Sequence, residues 1–261
     1  MTTTYAPSDQ DLADFGEVGY FVAPDLFTAQ ECDAALEHVE QAAFELALGD
    51  PAAGPLSYRP MMHLLSPELT AIATDARWAP IVLPLLGTGD ARLYWEQAVA
   101  KPPQARTELP WHQDNGYTPL VPEEYVTCWL ALDDAHEGNG CLWVIPGSHH
   151  DGTRRHVNDD AGSPFRVGHD GPASDGIPVP VEKGSVLVFS SLVMHRSGPN
   201  TTDHPRRSWI IQFCSAGARS ALSHKVLDDR LLVAEHGMWL DEPVRQRDVD
   251  LVAILANYDH G

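Results

Sequence analysis

The chain has 261 residues and a mass of 28.6 kDa, and with 43% hydrophobic and 21% charged residues it has the balance of an ordinary globular protein able to bury one sizeable core. Seventeen Lys and Arg against 37 Asp and Glu leave a net charge of -20, which repels phosphate backbones and anionic lipid surfaces and argues against nucleic-acid and membrane partners. The first 15 positions lack a basic start followed by an apolar run, and no uninterrupted apolar stretch reaches about 18 residues. The expectation is a cytoplasmic protein without signal peptide or membrane span. Cys32, Cys128, Cys141 and Cys214 stand far apart with no CxxC pair, so they read as buried free thiols in a reducing compartment.

Taken in order, Asp11 to Val22 reads as a short helix running into a strand at Gly19-Tyr20-Phe21-Val22. Thr28 opens the next helix, with Glu31 three positions on to complete a capping box, and Cys32, Leu36, Val39 and Phe44 form its apolar stripe. Ser66-Pro67-Glu68 starts another helical segment, which Pro80 and Pro84 must break or kink before Gly87. From Ala91 the pattern turns to strands: Ala91 to Ala100, then Thr127 to Asp133 with strict alternation, then Cys141 to Ile145 after the Gly138-Asn139-Gly140 turn. Residues 151–178, rich in Gly, Asp, Ser and Pro, read as a lid-like loop. Strands return at Val179 to Phe189 and Ser208 to Cys214, and Leu231 to Trp239 and Val249 to Tyr258 are read as closing helices. The expected architecture is one domain over residues 1–261, mainly β: a double-stranded β-helix (jelly roll, cupin-like) with flanking N- and C-terminal α-helices.

The chemistry centres on Pro110-Trp111-His112-Gln113-Asp114. On extended chain, side chains two residues apart leave the same face, so His112 and Asp114 can grip one ion. A metal with open coordination positions, as in non-haem Fe(II) oxygenases, is held by two imidazoles and one carboxylate, which requires a second histidine from elsewhere. His195, after an apolar strand, is the candidate. Arg206, eleven positions later at the start of the next strand, offers a planar fork suited to bidentate capture of a carboxylate. Arg207 reads as a surface ion-pair residue, and Trp111 as a pocket wall beside His112. His149, His150, His156 and His169 show no pairing pattern and read as surface residues.

Together these residues resemble a known family. His112-Gln113-Asp114, Thr127 to Asp134, the stretch Gly138-Asn139-Gly140-Cys141-Leu142-Trp143-Val144-Ile145-Pro146-Gly147-Ser148-His149, and His195 with Arg206 look like the phytanoyl-CoA dioxygenase (PhyH) family of Fe(II)- and 2-oxoglutarate-dependent oxygenases. The resemblance implies that His112, Asp114 and His195 bind Fe(II), that Arg206 pairs with the distal carboxylate of 2-oxoglutarate, and that Ser197 adds a hydroxyl to that carboxylate. Gln97 and Trp129 are weaker carry-overs to the cosubstrate pocket, balanced against plain packing roles in the barrel. Asn200 and Pro146 to His149 shape turns. Halogenases on this scaffold lack the carboxylate, so Asp114 implies hydroxylation, desaturation, epimerisation or oxidative ring closure instead.

The expected partners are O2 and a small-molecule substrate, in secondary metabolism such as antibiotic biosynthesis, with the protein a monomer or homodimer. By charge, a cationic or polyhydroxylated substrate fits better than a coenzyme A thioester. Two alternatives stand beside this reading: a cupin-like metal enzyme that uses no 2-oxo acid, which Arg206 disfavours, and a catalytically silent small-molecule-binding protein, which an intact triad disfavours.

Overall fold

The computed structural model describes residues 5–45, 57–154, 156–157, 168–169 and 176–249. Four helices and sixteen strands follow one another among them: α1 (Asp9–Glu17), β1 (Tyr20–Ala23), α2 (Ala29–Glu45), β2 (Ser57–Pro60), α3 (Pro67–Ala73), α4 (Ala79–Leu86), β3 (Ala91–Lys101), β4 (Leu109–His112), β5 (Leu120–Val121), β6 (Val126–Ala131), β7 (Leu142–Val144), β8 (His156–Val157), β9 (Gly168–His169), β10 (Ile177–Val179), β11 (Val186–Ser190), β12 (His195–Ser197), β13 (Arg206–Ser215), β14 (Arg219–Ser220), β15 (Leu231–Glu235) and β16 (Met238–Val244).

The helices begin where their caps place them. Ser8 and Asp11 form a reciprocal box at α1. At α2 the Thr28 backbone N–H donates to Glu31 Oε2 at 2.8 Å while Glu31 N–H donates to Thr28 Oγ1 at 3.2 Å, which satisfies two of the donors a helix start leaves open. The stretch Pro67–Leu86 is the one among the described residues long and apolar enough, by length and composition, to cross a membrane. It folds instead as α3, a short turn at Ala76–Trp78 and α4, with Pro80 in the first turn of α4 and Pro84 inside it. Leu69, Ala73, Trp78, Ile81 and Val82 from this stretch are buried in the core.

A larger antiparallel sheet runs β1-β11-β6-β13-β3-β15-β16, with β2 on the far edge of β3, and faces a smaller sheet ordered β10-β7-β12-β4. Period-two alternation splits each strand of the larger sheet between two environments. Cys128, Leu130, Trp209, Ile211 and Phe213 turn outward against the helices. Trp129, Ala131, Leu187 and Phe189 turn inward and meet Leu142, Val144 and Val179 of the smaller sheet. The result is the expected jelly-roll sandwich: a helix-backed core outside the larger sheet, and an interior between the sheets where a site can sit. A bulge where Gln212 pairs with Trp95 but Phe213 pairs with Leu93 leaves Tyr94 as the extra residue, so Tyr94 and Trp95 pack on the same cluster.

One closing helix is corrected. Leu231–Glu235 and Met238–Val244 form a hairpin on the edge of β3, with Leu231 opposite Leu93. An apolar run of only four residues, Leu231 to Ala234, has no decisive period. The deciding signal is His236-Gly237, both at positive φ (54° and 81°), the backbone a two-residue hairpin turn demands. The other proposed helix, Val249 to Tyr258, lies outside the described residues save for its first position.

Candidate metal centre and anion pocket

The two histidines meet because β4 and β12 pair antiparallel with His195 directly opposite His112. Their rings stand 4.1 Å apart between centroids. β4 ends at His112, Gln113 remains extended, and Asp114 opens a short helical turn. The two-residue spacing thus still delivers Asp114 to the His112 side. Asp114 Oδ1 lies 3.5 Å from His195 Nε2 and 3.9 Å from His112 Nε2, and the three candidate ligand atoms all fall within 4.8 Å of one another.

Each of the three side chains is oriented by its other polar atom. His112 Nδ1 is 2.7 Å from the Pro110 carbonyl oxygen and His195 Nδ1 is 2.9 Å from that of Val193. A carbonyl only accepts, so both rings donate from Nδ1 and keep the Nε2 lone pair for a metal. Asp114 Oδ2 accepts from Thr127 Oγ1 at 2.6 Å and from Gln212 Nε2 at 2.9 Å, which leaves Oδ1 for the ion. Thr127 and Gln212 come from the larger sheet and were missed in the sequence. Their signal was there: Gln212 shares the inward parity of Arg206 and Ser208 within an otherwise apolar strand. This donor set fits a ferrous ion, since two imidazole nitrogens and one carboxylate leave further positions open.

The ionisation states agree. Burial, then the neighbouring His195, pushes His112 down to about 3 against the pull of Asp114, so its imidazole is neutral at physiological pH. Burial alone would raise the Asp114 carboxyl, but His195, His112 and the Thr127 hydroxyl together hold it below the usual carboxylate value. An unfolded chain protonates histidine near 6.5 and aspartate near 3.9. Between about 6.5 and 3 the unfolded state therefore binds the proton that folded His112 refuses, and stability falls as pH drops. Thermal midpoints of the metal-free protein are expected to decline through this window, and His112→Gln to flatten the decline; a midpoint independent of pH in wild type would contradict this.

Arg206 is 2% exposed and projects from the first position of β13 into the same interior. Its Nη1 donates to Ser208 Oγ at 2.8 Å and its Nη2 to Ser197 Oγ at 3.3 Å, while Nε has no hydrogen-bond partner. Among the described residues no carboxylate forms an ion pair with it. Burial pushes its pKa down to about 10, as expected for a cation placed in low dielectric without its counterion. The Trp129 ring lies under the guanidinium at 5.3 Å. Ser197 Oγ also donates to Gly140 O at 2.7 Å. Gln97 sits on the same inner face, opposite Ile210, which is in turn opposite Trp129, and its Oε1 accepts from Trp95 Nε1. The structure thus brings Arg206, Ser197 and Trp129 into contact and places Gln97 one strand away.

Other expectations divide. Arg207 forms a bidentate pair with Asp133, at 2.7 and 2.8 Å. Asn200 Nδ2 donates to the carbonyls of Lys101, Pro102 and His204, a turn-shaping role. Trp111 does not line the pocket: odd parity turns it out of the sandwich, where Arg196 stacks between it and Trp143. His149 is not a surface residue but is buried, with Nε2 on the Gly16 carbonyl. His150 is exposed. His156 is half-buried beside the centre: its Nε2 accepts from Gln113 N–H at 3.0 Å and its ring lies 6.0 Å from Tyr117, itself 5.3 Å from His112. The His169 side chain and most of the expected lid lie outside the described residues.

Comparison with known proteins agrees with this picture. The phytanoyl-CoA dioxygenase (PhyH) family profile matches residues 15–208. The rice protein Phytanoyl-CoA dioxygenase 1 (Oryza sativa subsp. japonica) is 35% identical over 150 residues, 56% of this chain and 48% of that protein. The chain spans about half the length, or less, of the first curated relatives it matches. Among solved structures, the non-heme monooxygenase ThoJ in its apo form aligns with a TM-score of 0.73 at 23% identity over 95% of this chain and 93% of that one. The epimerase SnoN in complex with Fe3+, alpha ketoglutarate and nogalamycin RO aligns with a TM-score of 0.66 at 23% identity over 92% and 94%. At that identity the two structures carry the fold.

Proposed function

The chain belongs to the phytanoyl-CoA dioxygenase (PhyH) family of iron- and 2-oxoglutarate-dependent dioxygenases, and we propose that it is a single-domain cytoplasmic oxygenase that oxidises a small molecule in secondary metabolism. The observation that carries this reading is the pairing of a His112–Asp114–His195 cluster with a buried Arg206 whose Nε is unpartnered and which, among the described residues, ion-pairs with no carboxylate. Either feature alone has other uses. Together they offer a place for a metal and, further into the same interior, a place for a carboxylate.

In this reading His112, Asp114 and His195 hold Fe(II), and Arg206 with Ser197 takes the distal carboxylate of 2-oxoglutarate, the Trp129 ring packing under the guanidinium. When bound, iron and 2-oxoglutarate supply the activation of O2 coupled to oxidative decarboxylation to succinate and CO2. The protein's own work is orientation and exclusion of water. Phe189 packs edge-on to His195 at 4.8 Å and, with Leu187 and Val144, makes the interior apolar around that histidine. Gln113, between His112 and Asp114, is tied down on both sides: its Nε2 donates to the Gly152 and Leu192 carbonyls and its Oε1 accepts from the Arg154 N–H. By the family resemblance, the presence of the Asp114 carboxylate speaks against halogenation and favours hydroxylation, desaturation, epimerisation or ring closure. SnoN is an epimerase crystallised with a nogalamycin compound, and this supports an antibiotic-type small molecule as substrate class. The buried thiols suit a reducing cytoplasm.

The test is spectroscopic. Anaerobic addition of Fe(II) and then 2-oxoglutarate is expected to give a weak visible charge-transfer band, and succinate release on exposure to air is expected to rise with the right member of a panel of amino sugars, modified amino acids and polycyclic aglycones. Absence of both the band and any succinate would remove 2-oxoglutarate from the reaction and leave the cupin-type alternative.

A further inference from the structure

Arg206 is not the only buried cation at its end of the interior. Lys101, the last residue of β3, is 1% exposed and is the cross-strand partner of Arg206. Directly paired residues on neighbouring antiparallel strands project from the same face, so ammonium and guanidinium share one wall. Among the described residues no carboxylate forms an ion pair with either. Lys101 Nζ instead donates to three backbone carbonyls, those of Ser197 at 3.1 Å, Gly198, and Thr107 at 3.4 Å. Two of these belong to the turn that carries the Ser197 hydroxyl, and Asn200, anchored on the Lys101 carbonyl, ties down the remainder of the connection to Arg206. Gly140 makes room for the arrangement: at φ 84°, a Cβ there would stand 2.6 Å from Gly198 O and 3.1 Å from Lys101 Cδ.

Two like charges side by side in a dry interior repel and lose hydration, an arrangement that costs stability unless something negative joins them. Burial first, and then Arg206, lower Lys101 to about 7, with Arg196 adding to the effect and Glu108 and Cys141 opposing it. Three carbonyl oxygens are partial charges only. The arrangement is that of a pocket short of one negative charge.

We propose that Lys101 is a positioning residue of the cosubstrate pocket: it holds the Ser197–Gly198 turn and adds a second positive charge beside Arg206, so that the pocket selects a 2-oxo dicarboxylate over a 2-oxo monocarboxylate of the same chain length. The inference rests on the cosubstrate reading above and deepens it. Lys101 acts through the turn and through its field, since its three donors are already engaged.

The experiment compares 2-oxoglutarate with 2-oxopentanoate, which has the same five-carbon chain and lacks the distal carboxylate. Both are titrated anaerobically into the Fe(II)-loaded 261-residue protein at pH 6.5, where most of the ammonium is charged. Lys101→Met keeps the stem and removes the charge; Lys101→Gln keeps a donor for the carbonyls and is also neutral, so one neutral variant remains if the other fails to fold. In each, the affinity for 2-oxoglutarate is expected to fall at least about ten-fold, about 1.4 kcal/mol, with 2-oxopentanoate and Fe(II) affinities little changed, so the selectivity ratio collapses. Lys101→Arg is expected to restore it. A purely structural role would weaken both acids together and leave the ratio intact, which overturns the proposal, as do neutral variants that bind both acids as wild type does. Wild type that takes up no 2-oxoglutarate overturns the cosubstrate reading and this inference with it.

Discussion

Replacing Asp114 with alanine is expected to abolish succinate formation and to weaken Fe(II) binding by more than about 100-fold. The scale comes from the outer shell: loss of a group that merely orients a metal ligand costs about 10–100-fold in affinity or activity, and Asp114 is the only carboxylate in the cluster. The effect divides in an informative way. Asp114 Oδ2 is fixed by Thr127 and Gln212, so Thr127→Val or Gln212→Leu should give the smaller, outer-shell loss while keeping some turnover. Anaerobic iron titration monitored by calorimetry, with succinate assayed in parallel, checks both. Turnover at the wild-type rate in the alanine variant would take Asp114 out of the ligand set.

Arg206→Met is expected to do two opposite things. Without cosubstrate it removes a buried cation whose Nε is unpartnered and replaces it with an apolar chain of similar length, a change that is neutral or stabilising by about 1–4 kcal/mol when buried charges give way to well-packed hydrophobic groups. With 2-oxoglutarate the sign reverses. Truncating one partner of a buried, hydrogen-bonded charge pair costs about 2–5 kcal/mol of binding, so the affinity for 2-oxoglutarate should fall by about 30-fold to several thousand-fold. Thermal melts read both effects: 2-oxoglutarate raises the midpoint of wild type by mass action and leaves that of the variant unmoved. A variant that is less stable alone and still stabilised by 2-oxoglutarate would show that Arg206 is a structural residue.

Much of this site was legible in the sequence because it depends on short-range rules. The two-residue spacing of His112 and Asp114 keeps both side chains on one side of the chain, and the eleven-residue span from His195 to Arg206 is one short connection that crosses from the smaller sheet to the larger. The alternation in Thr127 to Asp133 sorts Trp129 from Cys128 without any tertiary knowledge. What stayed hidden depends on which strand lies beside which. Gln212 and Thr127 become carboxylate partners only because β13 lies next to β6, and Lys101 becomes a neighbour of Arg206 only through the register of β3 against β13. His156 approaches His112 across 44 positions by folding over Gln113. Trp111 differs for another reason: adjacent strand residues face opposite ways, so being next to His112 in sequence puts it outside the pocket, not in it. The hairpin at His236-Gly237 fell to an apolar run whose period was ambiguous.

The pairing of His195 opposite His112 also limits how the chain can vary in length. A single residue inserted or deleted within β4 or β12 would shift the register by one, turning an imidazole out of the sandwich and, at β4, bringing Trp111 in. Such a change would separate the members of the candidate cluster. Residues added in a connection between strands leave the register untouched. Diversification of substrate choice on this scaffold should therefore be written in insertions between the strands, and the strands that carry the two histidines should keep their length whatever the substrate.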